Sequence, residues 1–422
     1  MKFNKTTLEN GVRLITIPMP DNPSATVLVM VETGSEYETE KEAGISHFLE
    51  HMVFKGTPRR PSAMEISREL DSIGAHYNAF TNYEFTGYYA KADKKHLSKI
   101  IDIVSDMYQN PLFDQSEIDK EKGVIVEELR MYKDLPQRDV HEVLAALMHG
   151  DQPAGRPIIG NEETIRSFSR DSFVAYRAQH YVASATTVVV AGSFDEEAVI
   201  AEIGKAFYPV QPAPKRAKSP TIESQNVPAV RTKFKETDQT HLVIGVRTFP
   251  IGDERNAALS VLSTILGGGM SSRLFQRMRE ELGICYYVRT SSNPSIDHGD
   301  LTISAGVDNS RVDVAVKEIL AACSNLTKDV VSEAELKKAK DYISGTTMLE
   351  LETSDARAEY AGYEESMRHT VETPDIRLAK IQAVTTRDVQ RLAQETFTDK
   401  GLNLALVGRT KTDSIAPLVK FS

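Results

Sequence analysis

Two histidines and a glutamate within five residues, His47-Phe48-Leu49-Glu50-His51, carry the clearest chemistry in this sequence. On a helix, side chains three and four apart share a face, so His47, Glu50 and His51 project together. Two neutral imidazoles one turn apart can grip a single zinc ion. A carboxylate beside them can take a proton from the water that the metal activates. The order is H-x-x-E-H, the reverse of the commoner H-E-x-x-H. A catalytic zinc takes three protein ligands and keeps its fourth position open, so a third ligand must come from elsewhere. The stretch 116–132 offers Glu117, Glu121, Glu127 and Glu128. Read as a helix, it puts Glu121 and Glu128, two turns apart, on one face and Glu127 about a quarter-turn away. One can bind metal while another orients an imidazole. Spacing alone does not choose between Glu127 and Glu128.

These side chains need a scaffold, and 422 residues are too many for one ordinary core. Proline and charge crowd the run from Gln211 to Pro220 and on to Pro228, which reads as an extended linker near the middle. The halves on either side look alike. Ile66 to Gly74 and Phe275 to Gly283 each read as an amphipathic helix closed by a glycine. A strand and an apolar-spaced helix follow in both: Phe85 to Ala90 with His96 to Tyr108, and Asp300 to Ala305 with Val312 to Cys323. Ser116-Glu117-Ile118 and Ser332-Glu333-Ala334 then open long helices with carboxylates where the helix dipole favours them. The expected fold is α/β (α+β): two homologous domains, each a largely antiparallel sheet packed against helices, over 1–212 and 231–422 with a linker at 213–230. The counterpart of the motif helix, Asn256 to Leu266, has no histidine. That asymmetry favours function in the first half.

The runs Gly44 to Thr57 and Glu121 to Met131 resemble the inverted-motif zinc peptidases of the pitrilysin and insulinase family, most closely the mitochondrial-processing-peptidase-like branch. The resemblance covers nearly the whole chain. It implies that His47, His51 and Glu128 bind one zinc per chain, that Glu50 is the general base, and that Glu121 is a supporting carboxylate. It also marks Arg279 and Tyr286, a guanidinium and a phenol able to serve a developing oxyanion. Asn78-Ala79-Phe80-Thr81 resembles the family's substrate-facing edge strand, to which a peptide can add as a further strand. The expected activity is that of a zinc endopeptidase acting on peptides or unfolded segments.

In large single-chain relatives the half bearing the arginine and tyrosine faces the zinc domain. That implies a homodimeric clamshell here, each chain completing the other's site. The rivals are a non-catalytic assembly subunit of the same architecture and an active subunit that needs a different partner chain. A net charge of -10 argues against nucleic acid as the main partner. No signal, transit or membrane-spanning segment is read, and Cys285 and Cys323 form no C-x-x-C pair. A cytoplasmic protein with free thiols, not bound to membrane, is the expectation.

Overall fold

The computed structural model describes residues 1–421. Its contacts divide the chain into two units.

The first unit holds a six-stranded sheet of β1 (Asn4–Thr7), β2 (Arg13–Pro18), β3 (Ser24–Val31), β4 (His76–Thr81), β5 (Thr86–Asp93) and β6 (Thr186–Gly192). Their order is β1-β2-β6-β3-β5-β4, and every pairing except β2 with β6 is antiparallel. The second unit has β7 (Ala229–Phe234), β8 (Gln239–Arg247), β9 (Cys285–Pro294), β10 (Gly299–Asp308) and β11 (Leu402–Gly408), ordered β7-β11-β8-β10-β9. Only β7 with β11 is parallel. Without β1, both sheets place their strands, taken in chain order, as first, fifth, second, fourth, third. The duplication read from the sequence is therefore a shared topology.

The first four α-helices are α1 (Ile45–Val53), α2 (Ala63–Asp71), α3 (Leu97–Gln109) and α4 (Gln115–Asp134). α3 turns Ile100, Ile103, Val104 and Met107 inward against β3 and β5. The same spacing recurs in Val312–Lys328 of the second unit, where Val316, Ile319, Leu320 and Cys323 are buried. Such apolar stripes, fully removed from water, each contribute on the order of 1.5–3 kcal/mol per large side chain.

The units differ from contiguous halves at 1–212 and 231–422. Residues 348–373 belong to the first unit and 130–156 to the second, and the division falls at Ser219 and Pro220 within the expected linker. The cause is an exchange of helices. Helix Ser354–Arg368 packs on β3 and β6, while α5 (Pro136–His149) packs on β8 and β11. Glycines permit both approaches: a Cβ at Gly362 would lie 2.8 Å from Met30 Cγ, and one at Gly245 would lie 3.0 Å from Leu144 and Met148. Cys285 and Cys323 are buried free thiols. No helix among the described residues is long and apolar enough to cross a membrane.

Candidate metal centre

After β3 the chain makes two short 3-10 turns, Ser35–Tyr37 and Glu40–Glu42, and enters α1 through Gly44 at φ 94°, a left-handed conformation that suits glycine. It buries Ile45, Phe48, Leu49, Met52 and Val53, with Phe48 edge-on to Phe173. Burying that stripe turns His47, Glu50 and His51 to the opposite side. The two imidazoles lie side by side with ring centroids 4.7 Å apart.

α4 supplies the third group. His47 Nε2 stands 3.7 Å and His51 Nε2 3.6 Å from Glu128 Oε2. One donor atom from each of His47, His51 and Glu128 lies within 4.8 Å of the other two. Zinc bonds of about 2.0–2.2 Å in a tetrahedron separate ligand atoms by roughly 3.3–3.5 Å, so these three donors fit the ion with small adjustments. Glu127 is exposed and outside the cluster. The choice that spacing left open is thus made by α4's rotation, which buries Ile118, Glu121, Ile125, Val126 and Leu129. Glu121, a carboxylate at a buried position of that stripe, was a readable signal.

Glu121 reaches behind His51: its Oε1 is 2.8 Å from Nδ1. A proton on Nδ1 leaves the Nε2 lone pair for metal, the usual function of such a partner. Lys55 Nζ lies 2.5 Å from the other oxygen of Glu121. Burial works against the Glu121 anion, but the bonds from His51 and Lys55 outweigh it and hold the carboxyl below its ordinary range. Lys55, one turn beyond His51, was missed in the sequence.

Glu50 is mostly buried, and this raises its carboxyl above the ordinary range. The Glu128 charge adds to the rise, while the Thr81 hydroxyl and His51 oppose it. Thr81 Oγ1 donates to Glu50 Oε2 at 2.6 Å. Thr81 ends β4, which closes the sheet at its open edge. Alternation along β4 turns Tyr77, Ala79 and Thr81 toward α1, with Ala79 buried and Tyr77 near Phe54. Asn78 and Phe80 point to the other face, Phe80 over Gly87.

Arg279 and Tyr286 lie in the second unit. Phe275–Glu281 is a π-helix, where Leu282 N–H donates to Arg277 O, and such turns recur at functional sites. Arg279 Nη1 donates to Tyr286 O at 2.6 Å, and its guanidinium lies 5.3 Å from the Tyr286 ring centroid. Tyr286 is 70% exposed on β9, the edge of its sheet. Structure therefore joins this pair too, as a separate constellation in its own unit.

Residues 13–162 match the family described as Insulinase (Peptidase family M16), and residues 167–343 match the Peptidase M16 inactive domain. A Bacillus subtilis (strain 168) protein named "Uncharacterized zinc protease YmxG" is 36% identical over 93% of this chain and 95% of its own. The chain belongs to peptidase family M16. A Streptomyces coelicolor relative, "Uncharacterized zinc protease SCO5738", is 33% identical over 96% of this chain and 90% of its own. The crystal structure of a protease from Helicobacter pylori superposes with a TM-score of 0.90, covering 96% of this chain and 99% of that one at 22% identity. That likeness carries the fold. One M16 model thus covers the part of the chain with the H-x-x-E-H motif, and the other covers a part that lacks it.

Proposed function

We propose that this M16 protein is a zinc endopeptidase that hydrolyses peptides or unfolded polypeptide segments. The observation that carries the reading is the convergence of His47, His51 and Glu128 beside a buried Glu50. Relatives named as zinc proteases support the choice of metal. Zinc held by those three residues supplies Lewis-acid activation of water and of the scissile carbonyl near neutral pH.

Everything else falls to the chain's own groups. Thr81 occupies Glu50 Oε2 with a donated hydrogen bond, which leaves the Oε1 lone pairs to take the water's proton. The raised affinity of Glu50 for a proton suits a base that must later return it to the leaving amine. Glu121 and Lys55 hold the His51 ring in orientation. A peptide adds to the open edge of β4 along Asn78 to Thr81, with main-chain bonds giving affinity independent of side-chain identity.

Arg279 and Tyr286 supply donors to the developing oxyanion from a second copy of the chain, making the working unit a homodimeric chamber. Their mutual contact and the exposure of Tyr286 support this reading. The test of the activity is metal analysis of the purified protein, with cleavage of a mixed unfolded-peptide library in the presence and absence of chelator. One zinc per chain and chelator-sensitive internal cleavage are expected; a metal-free, inert protein overturns the proposal. For sharing between chains, Glu50→Gln and Arg279→Ala chains, each inactive, should recover partial activity in mixed dimers. Verified mixed dimers without recovery refute it.

A further inference from the structure

α1 lacks what a buried helix start ordinarily has, a capping side chain. Its first N–H groups have no partner within the helix and need acceptors. The cap position is Gly44, and no Ser, Asp or Asn fits there: a Cβ would lie 2.5 Å from Ile159 O and 3.0 Å from Gly160 Cα. The acceptors come instead from Glu38, six residues upstream. Its Oε2 accepts from Gly44 N–H at 2.7 Å and its Oε1 from Ser46 N–H at 2.8 Å, all of them buried. Ser46 Oγ is in turn 2.8 Å from Tyr176 OH, which is 2.9 Å from Thr33 Oγ1 on the segment leaving β3. The next residue after Ser46 is His47.

We propose that Glu38 is a positioning residue for the M16 metal centre: its carboxyl group replaces the missing cap of α1 and, with Tyr176, fixes where His47 and Glu50 stand. The inference rests on the zinc reading above and extends it to a residue that touches neither metal nor substrate. A helix start displaced by half an ångström moves His47 relative to Glu128, and metal sites tolerate little of that. Burial pushes the Glu38 carboxyl up to about 8, against the pull of the Ser46 and Gly44 bonds. Both oxygens keep an acceptor lone pair in either form, the carboxylate accepting more strongly. An amide cannot do the same, since its NH2 would face a backbone N–H.

The test uses full-length protein carrying Glu38→Gln, with zinc affinity measured by chelator competition and kcat and KM on a peptide substrate. Zinc affinity is expected to fall by about tenfold or more, with kcat reduced and KM within about twofold. A core variant in α3, Ile100→Val, gives the control: its loss of Tm should leave zinc affinity unchanged. If Glu38→Gln does not fold, Tyr176→Phe decides by the same readouts, since it keeps the ring and removes only the hydroxyl bridge. Wild-type zinc affinity and kcat in the folded variant overturn the proposal while leaving the peptidase reading intact. A wild-type protein that binds no zinc overturns both.

Discussion

His51 Nδ1 and Glu121 Oε1 meet at 2.8 Å, and this contact determines which imidazole nitrogen faces the metal position. Without it the ring could carry its proton on either nitrogen. Glu121→Gln keeps the shape but removes the charge that both His51 and Lys55 use. Zinc affinity should fall about 10–100-fold, as for other partners behind a metal ligand. Lys55→Met should act in the same direction with a smaller effect. Chelator competition measures both, and an unchanged affinity in Glu121→Gln removes the supporting role.

Glu50 and Thr81 make the second separable pair. Glu50→Gln should bind zinc as the wild type does yet lose about 10²–10⁴-fold in kcat, the usual contribution of a positioned base. Thr81→Val should lose less, because it disturbs only the orientation of Glu50. Turnover of Glu50→Gln near the wild-type rate would show that another group moves the proton.

How much of this was legible beforehand differs element by element. The H-x-x-E-H face could be read because helical spacing alone aligns His47, Glu50 and His51. Repeated apolar stripes likewise revealed two related units. The exchange of α5 and Ser354–Arg368 between sheets could not be read, since an amphipathic pattern shows that a face is buried and not which sheet buries it. Glu38 was silent for a similar reason: its partners are backbone N–H groups, which leave no side-chain signature. Nor does any composition rule mark Phe275–Glu281 as a π-turn in place of an α-helix.

Metal removal should be visible in stability. A ligand that binds only the folded state stabilises it by RT ln(1 + [L]/Kd), about 4 kcal/mol at a thousandfold excess over Kd. Zinc held by His47, His51 and Glu128 would join α1 to α4, so the gain would belong to the first unit. Differential scanning should show a higher Tm with zinc than with chelator, and His47→Ala should abolish the difference. Equal melting of the wild type with and without zinc would argue against a bound ion.

Acid sensitivity should trace in part to His180. Its ring is buried, stacked on Tyr176 at 4.2 Å and edge-on to Tyr37 at 6.0 Å. Neither ring nitrogen has a hydrogen bond among the described residues. Burial, joined by the charge of Arg216 and opposed by Glu42, lowers its pKa from 6.5 to about 4. Between those values the unfolded chain binds a proton that the folded one refuses, so stability falls as pH drops from 6.5 toward 4 and is unaffected above that window. The full cost is on the order of 3 kcal/mol. His180→Phe keeps the stack and cannot titrate, so its Tm should decline less steeply than the wild type's between pH 6.5 and 4.5. Because every other group is shared, the difference between the two slopes isolates this one ring, and parallel slopes would exonerate it.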